Sequence, residues 1–265
     1  MYALNSNAHV DVLLLDLSKA FDSVPHFRLL SKLESYGISG RILEWIKSFL
    51  SNRSQCVFVD SCSSSFKNVL SGVPQGSVLG PILFVIYLND FFTRLHHTLP
   101  ECYADDTKLV CSLLQKSFVE VGLDFREVEN WSKEWLLQIN SQKSFILRFG
   151  RNNPLNSYSL NGITIPVSDT ITDLGVIIDP SLGFSAHVNH VVNKASSALG
   201  WLLRTFSIRN APLTHLYKSY VLPLLEYNSA FWNPHLLKDI DALESSNADS
   251  QSLFRFFATY HIVPD

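Results

Sequence analysis

The stretch CYADDTKLV, Cys102 to Val110, sets two aspartates side by side in a run that otherwise alternates as a strand does. Adjacent carboxylates repel each other, and a half-buried strand is a costly place for such a pair. The doublet therefore predicts a hairpin tip, with Asp105 and Asp106 at the turn. A second stretch has the same difficulty. VDVLLLDL, Val10 to Leu17, reads as a buried strand, and Asp16 stands inside it. Taken singly, Asp16 is satisfied by an exposed edge position and the doublet by a solvated turn. If the two strands are neighbours, Asp16 comes beside Asp105, and the cluster of acidic oxygens calls for a divalent cation. Mg²⁺ takes oxygen ligands, usually one or two carboxylates together with substrate phosphates. Two such ions, about 3.5–4 Å apart, clamp the attacking and leaving oxygens of a phosphoryl transfer.

Composition frames this reading without deciding it. At 265 residues and 46% hydrophobic, the chain can bury one large core or two small ones. Its formal net charge of -3 does not mark a nucleic-acid binder globally. Residues 141–238 carry eight Lys/Arg against four Asp/Glu, and 239–265 carry one against five, so a mildly basic segment precedes an acidic tail. Cys56, Cys62, Cys102 and Cys111 lack the paired short spacing of a zinc site, and reduced thiols are expected. The longest apolar run, Val78 to Leu88, is too short to span a bilayer and contains Gly80 and Pro81. With no secretory signal at the start, the expected location is intracellular, in the nucleus or cytoplasm. His187 and His190 stand one helical turn apart with no third ligand nearby in sequence, and read as packing or surface residues.

Along the chain, FRLLSKLESYG reads as a helix closed by Gly37, and GRILEWIKSFLSN as a second with Ile42, Leu43, Trp45, Ile46, Phe49 and Leu50 on one core-facing side. QCVFVD and SFKNVLSG read as two short strands joined around Ser61–Ser64. A Gly/Pro/Ser loop then leads into an apolar helix, and 118–137 forms a long amphipathic helix. Asn161-Gly162 between two β-type runs is a strong hairpin signal, and TDLGVIID reads as a returning strand. From Phe184 two long helices follow, the second split or kinked at Pro223. The predicted class is α+β to about residue 178, with a helical region behind it.

In this order, LLLDLSKAFDSVPH, SGVPQGSVLGPILFVIYLND and CYADDTKL resemble three core motifs of reverse transcriptases, in the variants of non-LTR, jockey-like retrotransposons. WSKEWLLQINSQK, DLGVIIDPSLGFSAHV, KASSALGWLLRTF and LYKSYVLPLLEYNSAFWNP extend the resemblance over roughly residues 10–240. It implies a polymerase palm, an antiparallel sheet with packed helices, over 1–150. A hairpin resembling the primer-holding element follows over 151–178, a helical thumb-like region over 179–240, and a divergent acidic tail over 241–265. The implied activity is RNA-directed DNA synthesis with two Mg²⁺ ions, deoxynucleoside triphosphates, an RNA template and a DNA primer. Asp16, Asp105 and Asp106 match the metal-binding carboxylates, and Leu17 a backbone carbonyl ligand. Phe21 matches the aromatic gate under the incoming sugar. Gln75 and Gly76 match the nucleotide and template platform, and Lys143 matches a lysine that protonates leaving pyrophosphate. Lys194, Arg204, Arg209 and Lys218 lie where the thumb meets phosphates, while Lys19 and Asp22 shape a turn.

Two departures from the family pattern bear on activity. Only fifteen residues precede Asp16, where the family carries a fingers region and an endonuclease, and the far end lacks the family's basic stretch. The expectation is a truncated copy that keeps its metal-site chemistry and has little polymerase activity alone. The alternative is an inactive remnant that acts as a weak nucleic-acid-binding module.

Overall fold

The apolar run predicted as a buried strand forms β1 (Val10–Leu15), the centre of the fold's main sheet. The computed structural model describes residues 9–112, 117–150, 153–206 and 211–245. They divide into two units, the first ending at Ser168 and the second starting at Asp169.

In the first unit, β1 is followed by a short helix α1 (Ala20–Ser23), then α2 (His26–Ser35) and α3 (Gly40–Leu50). Four two-residue strands come next, β2 (Ser54–Gln55) to β5 (Lys67–Asn68), with β3 (Phe58–Val59) and β4 (Cys62–Ser63) between them. The apolar helix α4 (Leu79–Thr93) leads to β6 (Leu99–Tyr103) and β7 (Asp106–Ser112). The amphipathic helix α5 (Phe118–Trp135), β8 (Phe145–Phe149) and the small hairpin of β9 (Ser159–Leu160) and β10 (Ile163–Thr164) complete the unit.

The main sheet is antiparallel in the order β6-β7-β1-β8. Leu13 pairs with Leu109 on one side and Ile146 on the other. All three are buried, packed in one core with Phe84, Leu88 and Phe91 of α4 and Val121, Phe125, Val128 and Trp131 of α5. The helices thus cover one face of the sheet. On the other face, Val12, Leu14, Lys108 and Val110 are only half-buried. Near the end of β1 this second face is open to water, which suits charged groups, whereas Asp11 on the helix-covered face is buried and needs Tyr158 and Asn153 as hydrogen-bond partners.

Three local readings are revised by packing. The α3 stripe splits: Leu43, Ile46 and Leu50 are buried, but Ile42 and Trp45 remain 62% and 59% exposed. Each set follows helical spacing, and the core is wide enough to cover only one. The 54–68 segment holds two nested minimal hairpins, β2 with β5 and β3 with β4, in place of two strands. Asp60 and Ser61 turn the inner one with φ of +46° and +70°. TDLGVIID is also a hairpin, β11 (Ile171–Asp173) with β12 (Val176–Ile178), since Leu174 and Gly175 both adopt positive φ. A leucine is an uncommon residue there, which hid the turn. The Asn161-Gly162 turn forms as read, at φ of +53° and +74°.

α5 begins with a capping box: Ser117 Oγ accepts from the Glu120 amide at 3.3 Å, and Glu120 Oε2 accepts from the Ser117 amide at 2.7 Å. It ends where Leu136 turns left-handed at φ +56°, two residues before the read boundary. The same helix carries a buried carboxylate. Asp124 accepts from the amides of His96, His97 and Thr98 at 3.1, 2.8 and 2.7 Å, and from Thr98 Oγ1 at 2.8 Å. It ties the loop entering β6 to the core. Asp124→Ala leaves three amides without an acceptor and is expected to destabilise the chain by about 2 kcal/mol, read from urea denaturation. Lys32 is also buried, donating to the Tyr87 carbonyl at 2.5 Å and to Asp90 Oδ1 at 2.6 Å, with its ammonium 3.4 Å from the Trp135 ring centroid.

Buried titratable groups give the fold an alkaline limit. Burial pushes the Cys111 thiol from 9.0 up to about 12. Burial also raises the phenols of Tyr87 and Tyr158, the latter further by its bond to Asp11. A raised acid binds more protons folded than unfolded, so its contribution is fully present below pH 9 and lost as pH climbs toward 12. Lys32, lowered chiefly by burial, acts in the opposite direction over the alkaline range. Three raised groups outweigh one lowered group, so the urea midpoint is expected to fall above pH 9. Cys111→Ala should flatten the part of that fall between pH 9 and 12.

The second unit holds β11, β12 and the helices α6 (Ser185–Thr205), α7 (Ala211–Tyr220), α8 (Leu222–Glu226) and α9 (Ser229–Trp232). The predicted split near Pro223 is seen, with that proline in the first turn of α8. Its core gathers Ala195, Leu202, Tyr217, Val221 and Leu225. His187 is a packing residue, as read: its Nδ1 accepts from the Ile177 amide at 3.2 Å, and its ring meets the Trp232 ring edgewise. The unit boundary divides the 151–178 segment, so its two hairpins belong to different units. Lys194, Arg204 and Lys218 are exposed. Arg209 and residues 246–265 of the acidic tail lie outside the described residues. Among the described residues, no helix is long and apolar enough to cross a membrane.

Candidate active site

The site is built where β1 leaves the sheet. β1 and β7 pair with Leu15 opposite Thr107, and one further step in that register sets Asp16 opposite Asp106. Opposed residues point to the same face of a sheet. For this pair it is the face of Leu14 and Lys108, the one the helices leave uncovered. β6 and β7 close at Tyr103 opposite Asp106. Ala104 and Asp105 therefore make the tip, with Ala104 left-handed at φ +56°. Asp16 is half-buried, while Asp105 and Asp106 are exposed. The reading had Asp16 beside Asp105; the residue directly across is Asp106, and Asp105 is next to it on the turn.

Past β1 the backbone is held from the other side. The Ser18 amide donates to the Gln138 carbonyl at 2.8 Å, and the Asn140 amide donates to the Asp16 carbonyl at 2.8 Å. Bonding directions alternate along an extended strand. The Leu17 carbonyl therefore points to the opposite edge, the side of the Asp105-Asp106 turn. Lys143 follows from the same clasp. Its amide donates to the Asn140 carbonyl at 3.1 Å, which places Lys143 in the turn just before β8, whose first residue, Phe145, pairs with Leu14. Its side chain is exposed.

Phe21, Gln75 and Gly76 form a second group, reached from Asp16 through five residues of chain. The Phe21 ring stacks on Phe84 of α4 with centroids 4.2 Å apart and planes inclined by 20°. The loop carrying Gln75 is laid against this turn: the Val73 amide donates to the Phe21 carbonyl and the Gly72 amide to the Val24 carbonyl, both at 2.8 Å. His26 Nε2 lies 2.8 Å from the Gly72 carbonyl oxygen. Gly72 has φ +92°, and a Cβ there would lie 2.7 Å from Asp22 Cα, so only glycine allows this approach. Gln75 and Gly76 are exposed. Beside them opens a cleft of about 410 Å³, with Asp22, Arg53 and Gln75 in its wall.

Among the described residues, no three His, Cys, Asp or Glu side chains form a ready cage for a metal ion. Hard divalent cations do not need one, since substrate oxygens and water complete their shell. An all-oxygen set of Asp16, Asp105, Asp106 and the Leu17 carbonyl, on an open face, fits Mg²⁺ in kind. The motif reading did not find the buried polar groups Asp11, Lys32 and Asp124. Lys32 and Asp124 lie in amphipathic helices that read equally well with those residues facing water, Asp11 stands at the start of an apolar strand where an edge position would serve it, and only the packing reveals their partners.

A family model described as reverse transcriptase (RNA-dependent DNA polymerase) matches residues 3–178. The RNA-directed DNA polymerase from mobile element jockey of Drosophila funebris is 33% identical over 245 residues, covering 85% of this chain and 26% of that one. Its Drosophila melanogaster counterpart is 31% identical over 229 residues, covering 80% and 25%. The chain thus spans about a quarter of the length of these curated relatives. Among solved structures, apo telomerase from Candida tropicalis aligns with a TM-score of 0.47 at 15% identity, covering 64% of this chain and 34% of that one.

Proposed function

The chain belongs to the reverse transcriptase (RNA-dependent DNA polymerase) family, and from that premise we propose that it carries the catalytic palm of an RNA-directed DNA polymerase. It takes an RNA template, a DNA primer and deoxynucleoside triphosphates. One observation carries the reading: the strand register that sets Asp16 across from Asp106, on the uncovered face, beside the turn that holds Asp105.

In the reaction, the primer 3′-oxygen attacks the α-phosphorus of the nucleotide and loses its proton. The bond from that phosphorus to the β-phosphate bridging oxygen breaks, and pyrophosphate leaves. When bound, Mg²⁺, two ions in this reading, would neutralise the charge on the attacking and leaving oxygens. Asp16, Asp105, Asp106 and the Leu17 carbonyl supply the ligand oxygens, and the sheet keeps them in place before substrate arrives. Lys143, at the Asp16 end of β8, gives a proton to the leaving pyrophosphate. The Phe21 ring, held flat by its stack on Phe84, lies under the sugar and leaves no room for a 2′-hydroxyl. Gln75 and Gly76 form the platform beside the nucleotide and template. Lys194, Arg204 and Lys218 contribute sequence-independent phosphate contacts that weaken with salt.

Primer extension on an RNA template with deoxynucleotides and Mg²⁺ tests the reading. Activity in the wild type that an Asp105→Ala, Asp106→Ala double variant lacks supports it. A folded wild type that extends nothing overturns it in favour of a nucleic-acid-binding module.

A further inference from the structure

We propose that Asp22 is a positioning residue for this site, holding the Gln75 carboxamide in the orientation that meets the incoming nucleotide. The inference rests on the polymerase reading for its substrate and on the geometry for its mechanism. Gln75 Nε2 donates to Asp22 Oδ1 at 3.1 Å. The surrounding turn does not need this bond. The Asp22 amide already donates to the Lys19 carbonyl at 2.9 Å, and Ser71 Oγ donates to the Asp22 carbonyl at 2.8 Å. With the Gly72 and Val73 amides bonded to Val24 and Phe21, the two segments are joined through their backbones.

The Asp22 carboxylate is therefore left with one task. Both side chains are exposed, and a free glutamine at such a place samples many rotamers. Engaging one edge of the carboxamide through Nε2 turns Oε1 away from Asp22, as an acceptor in the wall of the cleft that the two residues share. An acceptor there reads a donor on the nucleotide, a sugar hydroxyl or a base N–H. Phosphate is excluded as the group read, because the neighbouring carboxylate repels it. The negative charge is also dispensable: an asparagine at 22 keeps the acceptor oxygen that Gln75 needs.

The test uses the full chain in two ways. In steady-state primer extension, Asp22→Ala is expected to raise the KM for deoxynucleotide by up to about tenfold, the effect of one lost hydrogen bond, with kcat nearly unchanged. Asp22→Asn restores most of the loss. Adding Asp22→Ala to Gln75→Ala changes nothing further, since the carboxylate acts only through the carboxamide. Independently of activity, the Gln75 side-chain amide resonances, identified by their absence in Gln75→Ala, shift when Asp22→Ala is introduced. Unshifted resonances, or additive effects of the two substitutions on KM, overturn the proposal. A wild type that extends no primer counts against the polymerase reading alone, and the amide resonances then decide the positioning claim.

Discussion

Asp16→Asn is expected to lower primer extension by about a thousandfold or more while leaving the chain folded. The substitution keeps the size and removes the charge. Metal-assisted neutralisation at the reacting oxygens is worth several kcal/mol, and about 4 kcal/mol already corresponds to a factor of a thousand. Folding should survive because position 16 is anchored by its backbone: its carbonyl accepts from Asn140, and its amide donates to Ser144 Oγ at 3.2 Å. The measurement is nucleotide incorporation per molecule, with circular dichroism confirming the fold. A variant at Asp16 that extends primers at the wild-type rate would remove the central carboxylate from the mechanism.

Gly72→Ala is expected to cost about 3 kcal/mol in stability and most of the activity with it. Two effects add. An alanine at φ +92° is strained by about 1–3 kcal/mol. Its Cβ also meets Asp22 backbone atoms at 2.7–2.9 Å, where no flexible side chain can move aside. Relief requires the loop to lift from the Phe21–Val24 turn, breaking the Gly72 and Val73 amide bonds and moving Gln75 from the cleft. Urea denaturation reads the first effect and the KM for deoxynucleotide the second. By contrast Gly76, with open space around its missing Cβ, should accept Asn with little loss of stability, since Asn enters positive φ more readily than Ala. A Gly72→Ala chain as stable as the wild type would mean that the loop does not rest on Asp22.

The sequence by itself was sufficient for the family and for the α+β class, and it singled out the carboxylates proposed for the site, because a charged residue inside an apolar strand is conspicuous in one dimension. Asp16 within VDVLLLDL and the Asp105-Asp106 doublet at a hairpin are local anomalies, and each needed only its neighbours to be noticed. The Asn161-Gly162 turn was legible for the same reason, since its residues state their own backbone preference. The Leu174-Gly175 turn was not, because Leu174 occupies a conformation its side chain disfavours and is held there by contacts distant in sequence, including the Tyr227 hydroxyl that donates to its carbonyl at 3.0 Å.

Only the tertiary structure decided which apolar stripe of α3 is buried, which carboxylate stands across from Asp16, and what Gly72 is for. These are properties of pairs of segments. Helical periodicity says that a face exists, but the area of the partner surface decides how wide a face is covered. Strand register depends on the turn geometry and on the partner's own pattern, so one residue's difference exchanges Asp105 for Asp106. A glycine's missing Cβ has meaning only beside the backbone that fills its place, here that of Asp22, fifty residues earlier in the chain.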